Sequence, residues 1–149
     1  MRKTISVLII IMLLIITGCS NKQVIKHNYI YRGENEFWTA EYRVDAVGIF
    51  KEDNDKTDYK SESNTTLTVT YKKNPSELLS VKHLEISYES SAGGGKLTNN
   101  FDSTHPIEKT YTLKSSGSGI AIEQKDERIK VNINIDGKIQ TIELKNVQQ

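Results

Sequence analysis

The apolar residues of this chain recur at every second position rather than every third or fourth, and that period decides its fold class. From Trp38 the even positions carry Trp38, Ala40, Tyr42, Val44 and Ala46, while the odd ones carry Thr39, Glu41, Arg43 and Asp45. Leu67, Val69 and Tyr71 alternate with Thr66, Thr68 and Thr70, and Leu84, Ile86 and Tyr88 with Glu85, Ser87 and Glu89. Each run predicts a strand with one face in a core, and threonine suits the wet face because it is β-branched. Ile107, Lys109, Tyr111 and Leu113 make a further alternating set, and residues 97–101 and 120–122 predict shorter strands. Val47 and Ile49 interrupt the alternation, which predicts a bulge or burial on both faces there. Asn74-Pro75-Ser76-Glu77 predicts one helical turn through Leu79, since proline is tolerated at a helix start.

Turn residues divide these runs. Residues 53–58 are acidic and polar, residues 90–96 contain Gly93-Gly94-Gly95, and residues 115–119 are small; each predicts a loop. Asp136-Gly137 predicts a two-residue hairpin, because both positions tolerate positive φ. That turn pairs Val131 with Ile142 and Ile129 with Leu144, all facing one side. A three-residue loop would set Glu143 opposite Val131, so side-chain parity rejects it. About eight short strands with little helix signal predict an all-β, antiparallel β-sandwich of immunoglobulin-like type, with a small β-barrel as the alternative.

The first residues address the chain. Arg2 and Lys3 precede an apolar run over residues 7–16, which is shorter than the roughly 20 residues a spanning helix needs. Ile16-Thr17-Gly18-Cys19 closes it, and the layout resembles a bacterial lipoprotein signal. The resemblance implies that the Cys19 thiol takes a diacylglyceryl group and that a peptidase cuts after Gly18. Two acyl chains then hold the protein on the extracytoplasmic face of the membrane, at about 0.8 kcal/mol per buried CH₂. The expected organisation is a signal peptide at 1–18, a lipidated terminus and polar tether at 19–26, and the β domain at 27–149.

Composition excludes several function classes. Without residues 1–18, Lys+Arg falls from 20 to 18 against an unchanged Asp+Glu of 19, a net charge of −1. Nothing there favours nucleic acid, which wants a positive excess. Cys19 is the single cysteine, so its lipidation removes disulfides, thiolate metal sites and cysteine nucleophiles, and no cofactor is expected. Both methionines, Met1 and Met12, lie in the signal, which excludes a Met-rich copper site. A monomer is expected.

Candidate sites are few. Asp53, Asp55 and Asp58, in the acidic stretch 52–58, could offer oxygens to a hard cation such as Ca²⁺, although a solvated turn explains them as well. The stretch is no EF-hand: Asp58 stands where that loop needs glycine. Gly93-Gly94-Gly95-Lys96 lacks the spacing and the Ser or Thr of a phosphate loop. His27, His83 and His105 are scattered, and residues 115–119 do not have the spacing of a nucleophile elbow. Tyr29 and Tyr31 share a strand face with His27 and are the candidate partner surface.

Gly33-Glu34-Asn35-Glu36-Phe37-Trp38, Leu67-Thr68-Val69-Thr70-Tyr71, Ser87-Tyr88-Glu89-Ser90-Ser91-Ala92 with the three glycines, and Asp136-Gly137-Lys138 give the chain a wider resemblance. Over nearly its whole exported part it resembles uncharacterised small cell-envelope lipoproteins of Gram-positive bacteria. These motifs are strand faces and turns, so the resemblance implies location and lends no catalytic residue. The expected function is a membrane-anchored, non-enzymatic module that binds an envelope protein or polymer. Two alternatives remain: a metal- or ligand-sensing domain using residues 52–58, and a small hydrolase with a spatially assembled site. Cys19→Ser is expected to leave the membrane fraction for the medium, or to stall as an uncleaved precursor, as fractionation and blotting would read. A cleaved Cys19→Ser protein that stayed membrane-bound would contradict the lipid anchor.

Overall fold

A computed structural model describes residues 22–53, 56–102 and 108–148. Cys19, the signal peptide, Asp55, His105 and Ile107 lie outside the described residues. The strands are β1 (Lys22–Glu34), β2 (Trp38–Asp53), β3 (Lys56–Tyr71), β4 (His83–Ser90), β5 (Gly93–Asn100), β6 (Thr110–Ser118), β7 (Arg128–Ile135) and β8 (Lys138–Asn146). The predicted helical turn is a 3-10 turn over Pro75–Leu78, and the Asn74 side chain caps it by accepting from the Ser76 amide.

All strand neighbours are antiparallel, in the order β5-β4-β7-β8-β1-β2-β3-β6. The two end strands, β5 and β6, touch, so the sheet is nearly closed on itself. The eight-stranded, all-β expectation therefore holds in its barrel form, and the immunoglobulin-like sandwich does not. The reason is the β1–β8 join, where Tyr31 pairs with Asn146 and Arg32 with Lys145, and the Val147 amide donates to the Ile30 carbonyl at 2.9 Å. That short ladder makes one sheet of what would otherwise be two, and strand twist carries the edges round.

The register explains the core. β2 meets β3 without a slip from Trp38↔Tyr71 to Asp53↔Lys56, so side-chain parity never changes. Val47 and Ile49 mark no bulge; they lie half-buried on the outer face, while Ala46 and Gly48 are buried on the inner one. Trp38, Tyr31, Tyr42, Leu67, Val69, Ile86, Ile129, Val131, Ile133 and Leu144 fill the interior. The Trp38 ring sits 4.9 Å from Tyr71 and 6.4 Å from Tyr111, a spacing at which aromatic pairs attract. The Asp136-Gly137 turn has positive φ at both residues and the pairs the sequence predicts. The Asp136 carboxylate also accepts from the Lys82 and His83 amides at 3.1 and 2.8 Å, tying this turn to β4.

Four boundaries differ from expectation. Residues 22–26 are no tether but the start of β1, paired with residues 47–51 of β2. The three glycines belong to β5, because the Tyr88 ring lies where a side chain at Gly95 would stand, a Cβ there coming within 2.6 Å of it. Residues 115–118 extend β6 against β3 instead of looping. Ile120 and Ile122 lie in an irregular segment rather than a strand.

Beyond the barrel, β1, β2 and β3 continue as a three-stranded ribbon. β6 leaves β3 after the Glu62↔Ser118 pair and Ser61 is met by Gly119, so among the described residues Lys56–Lys60 has no outer strand over about 17 Å, at about 3.3 Å per residue. At the other end of β1, a Cβ on Gly33 would meet the Glu143 carbonyl oxygen at 2.5 Å and the Ile142 and Leu144 side chains at 2.9 Å. Gly33→Ala is expected to cost about 1–3 kcal/mol by overpacking. A lowered urea midpoint would read this, and an unchanged one would refute the close approach of β1 and β8.

Candidate functional site at the polar end of the barrel

At the ribbon end, the inner face of β3 changes chemistry while keeping its parity. Leu67 and Val69 give way to Thr65, Ser63 and Ser61, and all three of these are buried. A covering segment, residues 119–127, supplies some of their partners. Ser61 Oγ donates to the Ile120 carbonyl at 2.6 Å, the Gly119 amide to the Ser61 carbonyl at 2.8 Å, and the Tyr31 hydroxyl to the Gln124 carbonyl at 2.6 Å. The Glu127 carboxylate fastens the segment to the β4–β5 turn by accepting from the Ser91 amide and, at 2.6 Å, from Ser91 Oγ.

Under this cover lies Glu123, 3% exposed. The Tyr42 hydroxyl donates to its Oε1 at 2.6 Å. Ser90 Oγ stands 3.0 Å from the same oxygen and 3.0 Å from the Gly93 carbonyl, so its one hydrogen serves one of them at a time. Among the described residues, Glu123 Oε2 and Ser63 Oγ have no hydrogen-bond partner although both are buried. Both residues line a cavity of about 240 Å³, walled also by Tyr42, Tyr88, Ser90, Ser115 and Ser116. The described lining contains one carboxylate and no lysine, arginine or histidine. A cavity this small suits a ligand well below drug size.

The surroundings act on the tyrosines. Burial, then the hydrogen bond to Glu123, pushes the Tyr42 hydroxyl far above the ordinary 10.0, with Thr65 pulling the other way. Burial and the negative charges of Glu127 and Glu123 do the same to Tyr31. In the opposite half, burial and then Glu108 push Tyr111 up to about 12.

The residues singled out in the sequence do not converge here as a set. Tyr31 is wholly buried in the core, which removes it as a partner surface. Tyr29 is half-buried beside it, with ring centroids 6.2 Å apart, and its hydroxyl meets His27 Nδ1 at 2.9 Å. Asp53 ends β2 opposite Lys56, and Asp58 pairs with Lys51. Among the described residues, no three His, Cys, Asp or Glu come together as a metal set. His83 lies at the other end of β4, bonded to Asn100 Oδ1 at 2.8 Å. Sequence reasoning missed Glu123. Its one local signal is that it is the first charged residue after the uncharged stretch 115–122.

Compared with family models, curated proteins and solved structures, the chain matches none of them.

The buried tyrosines make stability fall in alkali. A tyrosine harder to ionise when folded contributes stability that is complete below its unfolded value of 10.0 and lost as pH rises toward the folded one. Urea unfolding is therefore expected to show a midpoint that drops progressively above about pH 10. The slope should be shallower in Tyr42→Phe and in Glu123→Gln. Equal slopes in all three proteins would show that the Tyr42–Glu123 pair carries none of the effect.

Proposed function

We propose that the chain is a lipid-anchored, extracytoplasmic envelope protein, related to the small Gram-positive lipoproteins it resembles, and that its barrel is a non-enzymatic binding module. The carrying observation is Glu123: a buried carboxylate lining a cavity, with one oxygen left without a partner among the described residues. Folding leaves a buried polar group unmet at substantial cost unless something completes it. The described lining holds one carboxylate and no histidine, an arrangement that favours holding a ligand over acid–base or nucleophilic work on it.

The ribbon supports the anchoring side of the reading. β1 begins at Lys22, three residues after Cys19, at the free end of the ribbon. A lipid on Cys19 therefore brings the ribbon tip to the bilayer. The polar cavity lies at that same end of the barrel, bounded by the ribbon's root at Ser63 and Thr65. Val24, Ile25 and Tyr59 are exposed along the ribbon, and the Phe50 and Tyr59 rings lie 4.6 Å apart, tilted at 40°. Such a paired ribbon stands the cavity off the membrane more stiffly than an unpaired tether.

The test is native mass spectrometry of the lipidated protein purified from its own membranes. The wild type is expected to carry a non-covalent small adduct that Glu123→Gln lacks. A bare mass in both proteins would defeat the binding reading. Chemical conversion of an envelope component by the wild type would replace the module by an enzyme.

A further inference from the structure

The chemistry of the cavity narrows its ligand, on the reading that the barrel end is a binding site. Glu123 is the charged group of the described lining, and its hydrogen-bond donors there are neutral hydroxyls, Tyr42 and Ser90. A buried carboxylate is tolerated where it is paired and hydrogen-bonded. Oε1 meets the hydroxyls, while Oε2 of this same cavity-lining residue is buried with no partner among the described residues. The missing element is thus a cationic donor, small enough to share about 240 Å³ with whatever bears it.

Three further observations point to the same class. The rings of Tyr42 and Tyr88, 5.0 Å apart, both border the cavity, and aromatic faces attract ammonium groups. The segment covering the barrel end carries Glu123, Asp126 and Glu127 against Lys125, and those three negative charges also act on Tyr31. The remaining wall is hydroxyl-rich, with Ser115, Ser116 and Ser63, whose Oγ has no partner among the described residues. A divalent metal fits poorly, because no group of three acidic or imidazole ligands forms among the described residues.

We propose that the polar end of the barrel binds a primary ammonium group, which donates to Glu123 Oε2, on a small hydroxyl-bearing ligand. Two sources carry that chemistry: a free amino sugar and a free amino alcohol such as ethanolamine.

The experiment is calorimetric titration of the lipidated protein in detergent with glucosamine and with ethanolamine, against glucose and ethylene glycol as their neutral counterparts. Binding of one or both amines, with at least about tenfold weaker binding of the neutral partners, is the expected result, since a hydrogen bond to a charged group carries about that ratio or more. Glucosamine alone would indicate the amino-sugar source, and ethanolamine alone the amino alcohol. Glu123→Gln keeps the side chain's size and an acceptor, so it should keep the fold while weakening amine binding by at least about tenfold. Its urea midpoint shows whether it is folded. Ser63→Ala provides a second folded variant that should weaken the hydroxyl-bearing amine and leave a charge requirement intact. Neutral compounds binding as well as amines, or amine binding unchanged in folded Glu123→Gln, would overturn the ammonium proposal. No heat from any of the four compounds would overturn it too. In each case an adduct from the native membrane would still stand for the binding module itself, so the two failures are distinguishable.

Discussion

Side-chain parity across the β1–β2–β3 ladder is the constraint on which the rest depends. β1 keeps one register against β2 from Lys22↔Lys51 to Glu34↔Thr39, and β2 keeps one against β3 from end to end. A single-residue slip would turn Trp38, Tyr42 and Val44 out to water and bring Arg43 and Asp45 in. That would expose much of the aromatic core and bury charge together. The outer face carries one pair that depends on this register, Arg32 of β1 opposite Glu41 of β2 at 2.6 Å, and Arg43, two residues along β2, meets the same carboxylate at 2.5 Å. Such exposed pairs contribute little energy each, so Arg32–Glu41 selects register more than it stabilises it.

The same parity builds the polar end. Inner-face positions continue into the ribbon without interruption, and where β3 changes from Leu67 to Thr65, Ser63 and Ser61 the barrel interior changes with it. The residues below are wide: Tyr31, Tyr42 and Leu67 fill the lumen at one level and act as a floor. The residues above are small, which leaves the space that Glu123 enters from the covering segment. Floor and cavity are therefore two consequences of residue volume along one strand face, and the segment 119–127 is held over them by backbone carbonyls that would otherwise need water.

Much of the fold was legible because burial and hydropathy coincide along these strands. The Trp38, Leu67, Leu84 and Ile129 runs each alternate cleanly, and the Asp136-Gly137 turn sets its own register. Closure was not legible, since it rests on a short β8–β1 join and on Gly33, whose missing Cβ lets the strands approach. Nor was the role of Gly95, which looks like loop glycine until the Tyr88 ring is seen to cover it. In the ribbon, apolar Val47 and Ile49 lie outward and serines inward, so hydropathy runs against burial and the periodic signal fails. The candidate site failed to show for the same reason. Serine and threonine occur on both faces of strands, and a buried glutamate is spelled like an exposed one.

Why a carboxylate stands there at all is the informative question. A glutamine would fill the same volume, and an apolar residue would fill the gap with no polar group to satisfy, at a possible gain in stability. Structural need alone accounts for Oε1, which accepts from the buried Tyr42 hydroxyl at 2.6 Å. It does not account for Oε2, which meets nothing among the described residues. The neighbouring glutamate shows the contrast: Glu127 spends its two oxygens on Ser91 and Gln124 and leaves neither idle. Two carboxylates in one covering segment thus differ in kind. One is used up in holding the segment down, and the other, lining the cavity, keeps an acceptor without a partner among the described residues.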